Sequence, residues 1–449
     1  MGGAFFPGVP VPMVRCFRSD GSTPFSWFSH LITLPRATHH MHKTPIDVST
    51  DLPQGITALD GKRIILVFEL LILGGAERQG LLLAKYLKHT CGAEVEVWGF
   101  RHTGRVTNEC EDLGIPWRLV PFEWVLSRSS RVRSLITFTL ALRAAKPDVI
   151  LPYTMLPNIA CALVWPYTGA RVCVWNQRDA GLHRVGKRAE SWAIQRIPLF
   201  IANSSSGTKF LAGTLRINPA KIRMINNGVS LRPAEADRAA WRQSLALSPS
   251  ATVACMVANL HAHKDHKTLL RAWRKVLGGH PRTSEPPVLL LAGYSYGSTA
   301  EQLEALALEL DLGKSVRFLG EVRDITGLLS AVDIGVFSSR LEGCPNGVLE
   351  CMASGLPVAG TDIPGLRQAL GPDGYGYLAP PGDADTLAKH ILRFMAARDL
   401  RGRVGTLNRQ RIERDFSPER MVQQTASVLG TALQKTASRC SGSFPTVCL

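Results

Sequence analysis

The chain lacks the features that mark small stapled modules and membrane-spanning proteins. Its 10 cysteines are scattered over 449 residues, with no Cys-x-x-Cys pair and no His/Cys cluster at zinc-ligand spacing. This pattern argues against a zinc module and favours free thiols in a reducing compartment. No uncharged apolar run reaches the roughly 18 to 20 residues that a membrane-spanning helix needs, and the first residues lack the pattern of a secretory signal. We therefore expect a cytoplasmic protein, with any membrane contact confined to the inner face of the cytoplasmic membrane.

Charged residues are in ordinary supply, at 20% of the chain against 45% hydrophobic residues. This balance excludes wholesale disorder, a collagen-like chain and a coiled coil. The length of 449 residues is about three times a common domain length of ~150 residues. We predict two domains, or one large domain with tails, and enough apolar material to bury more than one core.

The net charge of +16 is concentrated in one part of the chain. Residues 60–230 hold 23 basic and 12 acidic residues, a net +11, whereas residues 1–59 hold +1 and residues 231–449 hold +4. Such a surface favours an anionic partner, such as anionic lipid, a phosphorylated substrate or nucleic acid. A solvated basic surface without a partner explains the composition equally well. Because no zinc finger or aromatic RNA-binding motif is present, we expect no nucleic-acid partner.

Residues 1–60 have no lasting hydrophobic periodicity and contain seven prolines. We predict a disordered extension here. His39, His40 and His42 have no further ligands near them, so we expect no metal site in this segment. The prolines are Pro7, Pro10, Pro12, Pro24, Pro35, Pro45 and Pro53.

From Arg63 onward, short β-rich apolar runs alternate with helix-length amphipathic stretches. This alternation predicts βαβ units and parallel sheets, and it restarts after the segment Asn227-Gly228-Val229. We therefore predict two successive α/β domains with about six strands each. The predicted segments are a first domain at 61–230, a second domain at 231–415, a closing helix at 416–435 that returns to the first domain, and a flexible tail at 436–449.

Ligands of open parallel sheets bind at the carboxyl ends of the strands, so the loops there are the candidate sites. After the first predicted strand, Gly74 and Gly75 open a helix and allow a backbone to approach a ligand closely. A plain strand-to-helix turn explains these glycines as well. In the second half, Asn259 and Lys264 precede a helix, where an ammonium group can bind a phosphate. A solvated, His-rich loop is the alternative, and a lysine among the histidines argues against a metal site.

A third loop carries the strongest signal. Glu342 lies in a glycine-containing loop after a predicted strand. Seven residues separate it from Glu350, which lies on a short helix that we expect to begin near Asn346. A helix N-terminus favours an anion such as a diphosphate, whereas carboxylates accept hydrogen bonds from sugar hydroxyls. Two exposed glutamates on a surface loop and helix would be the interpretation without the surrounding glycines.

Together these motifs resemble the family 4 retaining glycosyltransferases, over roughly residues 62–433. The resemblance rests on Gly-Gly-Ala-Glu-Arg-Gln, Asn-Asn-Gly-Val, Lys-Asp-His-x-Thr-Leu-Leu, Phe-Leu-Gly-x-Val-x-Asp, and Glu-x7-Glu followed by Ala-Ser-Gly-Leu-Pro-Val. It is most specific from Val253 to Asp383. The family implies the GT-B fold, an α/β architecture of two facing Rossmann-like domains with parallel sheets and an interdomain cleft.

The resemblance also implies roles for individual residues. Glu342 and Lys264 would be catalytic, by the donor sugar and on the diphosphate, and Glu350 would bind the ribose. Many members have Arg where this chain has Asn259, which leaves more of the positive charge on the diphosphate to Lys264. The implied donor-binding set is Gly74, Gly75, Asn259, Lys264, Val322, Asn346, Gly347, Val348, Leu349 and Glu350.

No cofactor is implied; a nucleotide sugar, UDP- or GDP-linked, would be the substrate. Catalysis would need no metal, and we interpret Asp383-Ala384-Asp385 as a helix N-cap rather than a metal motif. Positive charge from Lys264 and a helix N-terminus would stabilise the departing diphosphate. After a first-domain strand, Arg178, Asp179 or His183 would contact the acceptor, with an ordinary surface turn as the alternative.

The expected partners are thus a nucleotide sugar, a glycan or lipid-linked acceptor and an anionic membrane surface. A nucleotide-sugar epimerase of similar architecture is the main alternative, although the segment from Glu342 to Glu350 favours transfer. A phosphorylase would need a far longer chain and a pyridoxal phosphate lysine. A basic nucleic-acid-binding protein and a catalytically inactive scaffold are weaker alternatives, the latter because Lys264, Glu342 and Glu350 are all present.

Overall fold

The computed structural model shows two α/β domains, each built on a parallel sheet. The predicted fold class is therefore confirmed. The structure describes residues 55–124, 127–181, 187–281, 284–295 and 297–441.

The first sheet has seven strands in the order β3-β2-β1-β4-β5-β6-β7, all parallel. The strands are β1 (Arg63–Leu70), β2 (Glu94–Arg101), β3 (Trp117–Leu119), β4 (Val149–Pro152), β5 (Val172–Gln177), β6 (Leu199–Ala202) and β7 (Ile222–Met224). The helices are α1 (Gly75–His89), α2 (Arg105–Asp112), α3 (Arg128–Ala145), α4 (Met155–Val164), α5 (Lys187–Arg196) and α6 (Ser205–Lys209).

Alternate residues of β1 face two separate cores, as the two-residue period of a strand requires. Ile64, Leu66 and Phe68 pack on one face with residues of α1, whereas Ile65 and Val67 pack on the other with residues of α3 and α4. Helices on both faces explain why this strand is an unbroken apolar run.

The second sheet has six parallel strands in the order β10-β9-β8-β11-β12-β13. The strands are β8 (Val253–Val257), β9 (Val288–Ala292), β10 (Val316–Gly320), β11 (Ile334–Phe337), β12 (Val358–Thr361) and β13 (Leu378–Ala379). The helices are α7 (Arg238–Ser244), α8 (His266–Gly279), α9 (Thr299–Glu309), α10 (Ile325–Ser330), α11 (Asn346–Ala353), α12 (Pro364–Leu370), α13 (Ala384–Ala396), α14 (Arg398–Asp415) and α15 (Pro418–Ser441).

Both sheets contain the doubly wound strand order 3-2-1-4-5-6, with a seventh strand added to the first. The order reverses between β1 and β4 in the first sheet and between β8 and β11 in the second. Ligands of such sheets bind outside the strand ends at these reversal points. The loops after β1, β8 and β11 are therefore the places where the fold positions a site.

The last helix, α15, packs against the first sheet although it follows the second domain. Its buried residues Met421, Ala426 and Leu429 share a core with Ile64 and Leu66. The chain thus leaves the first domain, builds the second and returns.

Two boundaries of the predicted extension and tail were wrong. Residues 55–60 are ordered because Ile56 and Leu59, in a 3₁₀ turn, are buried against α15. Residues 436–441 continue α15, since no proline or glycine interrupts the chain from 431 to 441. The rest of the predicted extension, residues 1–54, and the tail from 442 lie outside the described residues.

Candidate functional site

Glu342 lies in the loop after β11 and is buried. Its Oε1 atom accepts hydrogen bonds from Lys264 Nζ at 2.5 Å and from Ser339 Oγ at 2.7 Å. A buried carboxylate is costly unless it is paired and hydrogen-bonded, and both conditions are met here. The two predicted catalytic side chains therefore form one charged unit, held at the carboxyl ends of β8 and β11.

Lys264 is held by the turn that joins β8 to α8. Asp265 ends this turn with a φ of 50°, a left-handed conformation that aspartate tolerates better than most residues. The Asp265 side chain caps α8 by accepting from Thr268, and it also accepts from Arg340 Nε at 2.8 Å. Ser338 Oγ donates to the backbone carbonyl of this same turn. The loops after β8 and β11 are thus fastened to each other beneath the Lys264–Glu342 pair.

The helix α11 begins at Asn346, as predicted, and points its N-terminus toward the same edge of the sheet. Its N-cap is Pro345, which has no side chain to accept from the first N–H groups. A Cβ atom at Gly347 would collide with the carbonyl oxygen of Val257 at the end of β8. Glycine therefore lets the start of α11 sit directly on β8, where its N–H groups and positive dipole end can meet an anion.

Glu350, one turn into α11, pairs with a residue of the other domain. Its Oε1 atom accepts a hydrogen bond from Arg78 Nη1 at 2.7 Å. Burial raises the pKa of Glu350, and the Arg78 guanidinium opposes this rise. The carboxylate that we predicted to bind a ligand is therefore held across the interdomain cleft in this structure.

Two further hydrogen bonds join the domains at the same place. Asn346 Nδ2 donates to the carbonyl oxygen of Gly75 at 3.1 Å, and Asn227 Nδ2 donates to Asn346 Oδ1 at 2.7 Å. The predicted glycine loop after β1 thus faces the start of α11. Gly74, beside it, is the N-cap of α1 and has an extended backbone.

The remaining predicted donor-binding residues lie at the rim or under the site. Asn259 follows β8, and its Oδ1 accepts from the backbone N–H of Tyr294. Val322 follows β10 and is buried in the core of the second domain, as are Val348 and Leu349 of α11. For these three residues only the backbone is available to a ligand.

The predicted acceptor turn lies against the Glu342 loop. Arg178 Nη2 donates to Asn227 Oδ1 at 2.7 Å, and its guanidinium lies 5.6 Å from the centre of the Tyr153 ring. Burial lowers the pKa of Arg178. Asp179 Oδ1 accepts from Gln177 Nε2 and from the N–H of Gly181. His183 lies outside the described residues.

Sequence reasoning missed three residues of the Gly-Gly-Ala-Glu-Arg-Gln stretch, where it singled out only the glycines. Glu77 lies in the first turn of α1, and burial raises its pKa to about 7. Arg78 reaches Glu350, and Gln79 exchanges two hydrogen bonds with the backbone of Gly228. These residues could have been found in the sequence, because three polar side chains follow closely after the glycine loop.

Within the described ranges, no group of three or more His, Cys, Asp or Glu residues is arranged to hold a metal ion. Asp383 accepts from the N–H of Thr386 at 2.9 Å, which confirms the predicted N-cap of α13. His266 is buried, its two ring nitrogens have no hydrogen-bond partner among the described residues, and burial lowers its pKa to about 3. It therefore packs as a neutral core residue.

Comparison with known proteins assigns the chain to a family. The model for "Glycosyltransferase Family 4" matches residues 73–232, and the model for "Glycosyl transferases group 1" matches residues 237–411. The chain is 30% identical over 213 residues, 45% of its length, to D-inositol 3-phosphate glycosyltransferase 2 of Catenulispora acidiphila. It is 24% identical over 192 residues, 43% of its length, to N-acetyl-alpha-D-glucosaminyl L-malate synthase of Bacillus anthracis. The chain spans about half the length of the curated relatives it matches.

Solved structures resemble the fold over most of the chain. Anabaena HepE, crystallised with UDP and glucose, aligns with a TM-score of 0.72 and 19% identity, covering 82% of this chain and all of HepE. WaaG, a glycosyltransferase of lipopolysaccharide biosynthesis, aligns with a TM-score of 0.66 and 16% identity, covering 82% of this chain and 99% of WaaG. In the part of the chain that the structure describes, no helix combines the length and apolar character needed to cross a membrane. Because the two family models together match well over half of the chain, the protein belongs to the group 1, or family 4, glycosyltransferases of the GT-B fold.

Proposed function

We propose that the protein is a retaining glycosyltransferase that moves a sugar from a UDP- or GDP-linked donor to a glycan or lipid-linked acceptor. Its role would be in the biosynthesis of a cell-surface polysaccharide or glycoconjugate. The observation that carries this proposal is the Lys264–Glu342 pair beside the start of α11, at the strand-order reversal of the second sheet. A cation and an open helix N-terminus at this position suit a diphosphate.

The chemistry follows from the charge that develops when the donor reacts. The bond between the anomeric carbon and the diphosphate oxygen breaks, so negative charge grows on the diphosphate while positive character grows on the sugar. Lys264 and the N–H groups of α11 stabilise the departing diphosphate. Glu342 keeps the Lys264 ammonium in place and accepts from a sugar hydroxyl, while Glu350 accepts from the ribose hydroxyls. This arrangement requires no metal cofactor.

The acceptor enters from the first domain. The backbone of Arg178 and Asp179 lies against Gly343, the residue after Glu342, so this turn borders the proposed sugar position. We assign no enzyme nucleophile. The acceptor hydroxyl attacks on the face from which the diphosphate leaves, and its proton passes to a phosphate oxygen. Asp179 would orient that hydroxyl, and Arg178 would bind a phosphate on the acceptor.

A lipid-linked acceptor would bring the protein to an anionic membrane, and α3 offers a surface that supports this part of the proposal. Val132, Ile136 and Leu140 follow one another at four-residue spacing and are 54%, 56% and 61% exposed. The helix contains no acidic residue, and Arg133 and Arg143 are exposed on it. An apolar stripe flanked by cations is typical of helices that lie on anionic bilayers.

The test is a panel of UDP- and GDP-sugars incubated with the purified protein, in which both hydrolysis and transfer are measured. Wild-type protein should release UDP or GDP from at least one sugar, with retention at the anomeric carbon of the product. A change of sugar configuration within the intact donor would favour the epimerase instead. Nucleotide binding without release from any sugar, with or without candidate acceptors, would contradict transfer.

A further inference from the structure

Arg78 brings a cation of the first domain into the site of the second. It lies in the first turn of α1, and its guanidinium donates to Glu350 across the cleft at 2.7 Å. The Arg78 side chain is 38% exposed, whereas that of Glu350 is 12% exposed. The arginine therefore has room to move, while the carboxylate is fixed on its helix.

The two cations on which this inference depends are each paired with a carboxylate before any ligand arrives. Lys264 is paired with Glu342, and Arg78 is paired with Glu350. A nucleoside diphosphate adds at least two negative charges, and Asn259 contributes no charge to meet them. If the ribose hydroxyls donate hydrogen bonds to Glu350, the Arg78 guanidinium is released beside the incoming anion. A guanidinium binds phosphate oxygens in a bidentate fashion, so this cation suits a diphosphate.

The geometry keeps Arg78 within reach of that anion. Asn346, at the start of α11, donates to the carbonyl of Gly75, which shares the first turn of α1 with Arg78. Glu350 lies four residues after Asn346, a rise of about 6 Å along α11. The guanidinium therefore pairs with a carboxylate whose residue lies about one helical turn after the N–H groups that we assign to the diphosphate.

We infer that Arg78 is a donor-binding residue supplied by the first domain. In the ligand-free protein it pairs with Glu350, and on nucleotide binding it transfers to the diphosphate while Glu350 takes the ribose hydroxyls. This inference rests on the proposed function, because it requires a nucleoside diphosphate in the cleft.

The test compares the binding of UDP and GDP with that of uridine and guanosine, which have the ribose but lack the diphosphate. R78Q removes the charge and should weaken diphosphate binding about tenfold, the loss expected for one charge-assisted hydrogen-bonded contact. Nucleoside binding should be unchanged or tighter, because Glu350 is free. R78K should recover part of the affinity. Thermal unfolding of each variant establishes that it is folded.

The matched control is R105Q, which removes another interdomain ion pair, between Arg105 and Glu321 at 3.0 Å. This variant should bind UDP and GDP like the wild type. The inference is overturned if R78Q changes diphosphate binding less than about threefold, tightens it, or weakens nucleosides and diphosphates equally. Failure of the wild-type protein to bind either nucleotide would instead contradict the proposed function.

Discussion

Lys264 Nζ and Glu342 Oε1 are 2.5 Å apart, although 78 residues separate them in the chain. The contact exists because the loops after β8 and β11 leave adjacent strands of one sheet at the same edge. Both side chains are less than one-fifth exposed, so each is the other's main source of charge compensation. Changes at either residue should therefore affect both chemistry and stability.

Removing the Lys264 ammonium should reduce turnover severely. We expect K264A to lower kcat by about 10²- to 10³-fold, the loss typical when one group that stabilises a developing anion is removed. E342A should give a loss of similar order. Each single variant leaves a partly buried charge unpaired, so the double variant K264Q/E342Q serves as a control for stability. An inactive double variant with wild-type thermal stability would support a catalytic role, whereas an active one would contradict it.

Loss of the Glu350 carboxylate should act mainly on nucleotide binding. E350A removes the proposed acceptor for the ribose hydroxyls, so we expect KM for the nucleotide sugar to rise about tenfold with a smaller change in kcat. Steady-state kinetics at several donor concentrations measure the two effects separately. A fall in kcat at unchanged KM would place Glu350 in the chemical step instead.

Gly347 should tolerate no side chain. Because a Cβ atom there meets the Val257 carbonyl, G347A must push α11 away from β8, and we expect a loss of about 1–3 kcal/mol in the free energy of unfolding. Nucleotide affinity should fall with it. The control is G402A in α14, where a Cβ atom meets no atom within 4 Å. That variant should be as stable as the wild type or more stable by up to about 1 kcal/mol, since alanine favours a helix.

Stability should respond to pH through Glu77. The pKa of Glu77 is about 7 in the folded protein against 4.5 for an unperturbed glutamate, because burial disfavours its charged form. The folded state thus binds this proton more tightly than the unfolded state does. The resulting contribution to the free energy of unfolding is fully present below pH 4.5 and is lost as the pH rises to 7. E77Q stays neutral throughout, so its melting temperature relative to wild type should rise between pH 5 and pH 8. A difference that is constant over this range would contradict the assignment.

The outer face of α3 should bind anionic vesicles. We expect the triple variant V132S/I136S/L140S to lose most of its co-flotation with vesicles that contain anionic phospholipid, because each serine removes an apolar side chain from the bilayer. L308S on α9 is the control, since Leu308 is 55% exposed on the other domain. Wild-type binding should weaken at high salt. Flotation that is indifferent to lipid charge would count against this surface.

The sequence predicted those parts of the site that depend on one domain. Lys264, Glu342 and the start of α11 each follow a strand of the same sheet, so the parallel topology brings them together without further information. The hydrogen bond between Lys264 and Glu342 is a direct result. The sheet itself was predictable because buried parallel strands are short, unbroken apolar runs.

Contacts between the domains could not be predicted from the sequence. The pair Arg78–Glu350 joins residues 272 apart, and its formation depends on how two separately folded units face each other. No local period or turn signal encodes that placement. Short elements could not be predicted from the sequence for a different reason. Trp117–Leu119 is a three-residue edge strand that is mostly exposed, so its sequence has little hydrophobic pattern.

Because α15 returns to the first sheet, the chain passes between the domains twice, and the two connecting segments lie side by side. The N–H of Val229 donates to the carbonyl oxygen of Phe416 at 2.9 Å, and Gly228 packs against Pro418. A rotation of one domain relative to the other would therefore have its hinge at these two adjacent connecting segments. An expression fragment that stops at residue 230 would lack α15 and uncover Ile56 and Leu59, which are buried against that helix. The first half should therefore fold independently only when residues 418–441 are supplied, on the same polypeptide or as a separate peptide.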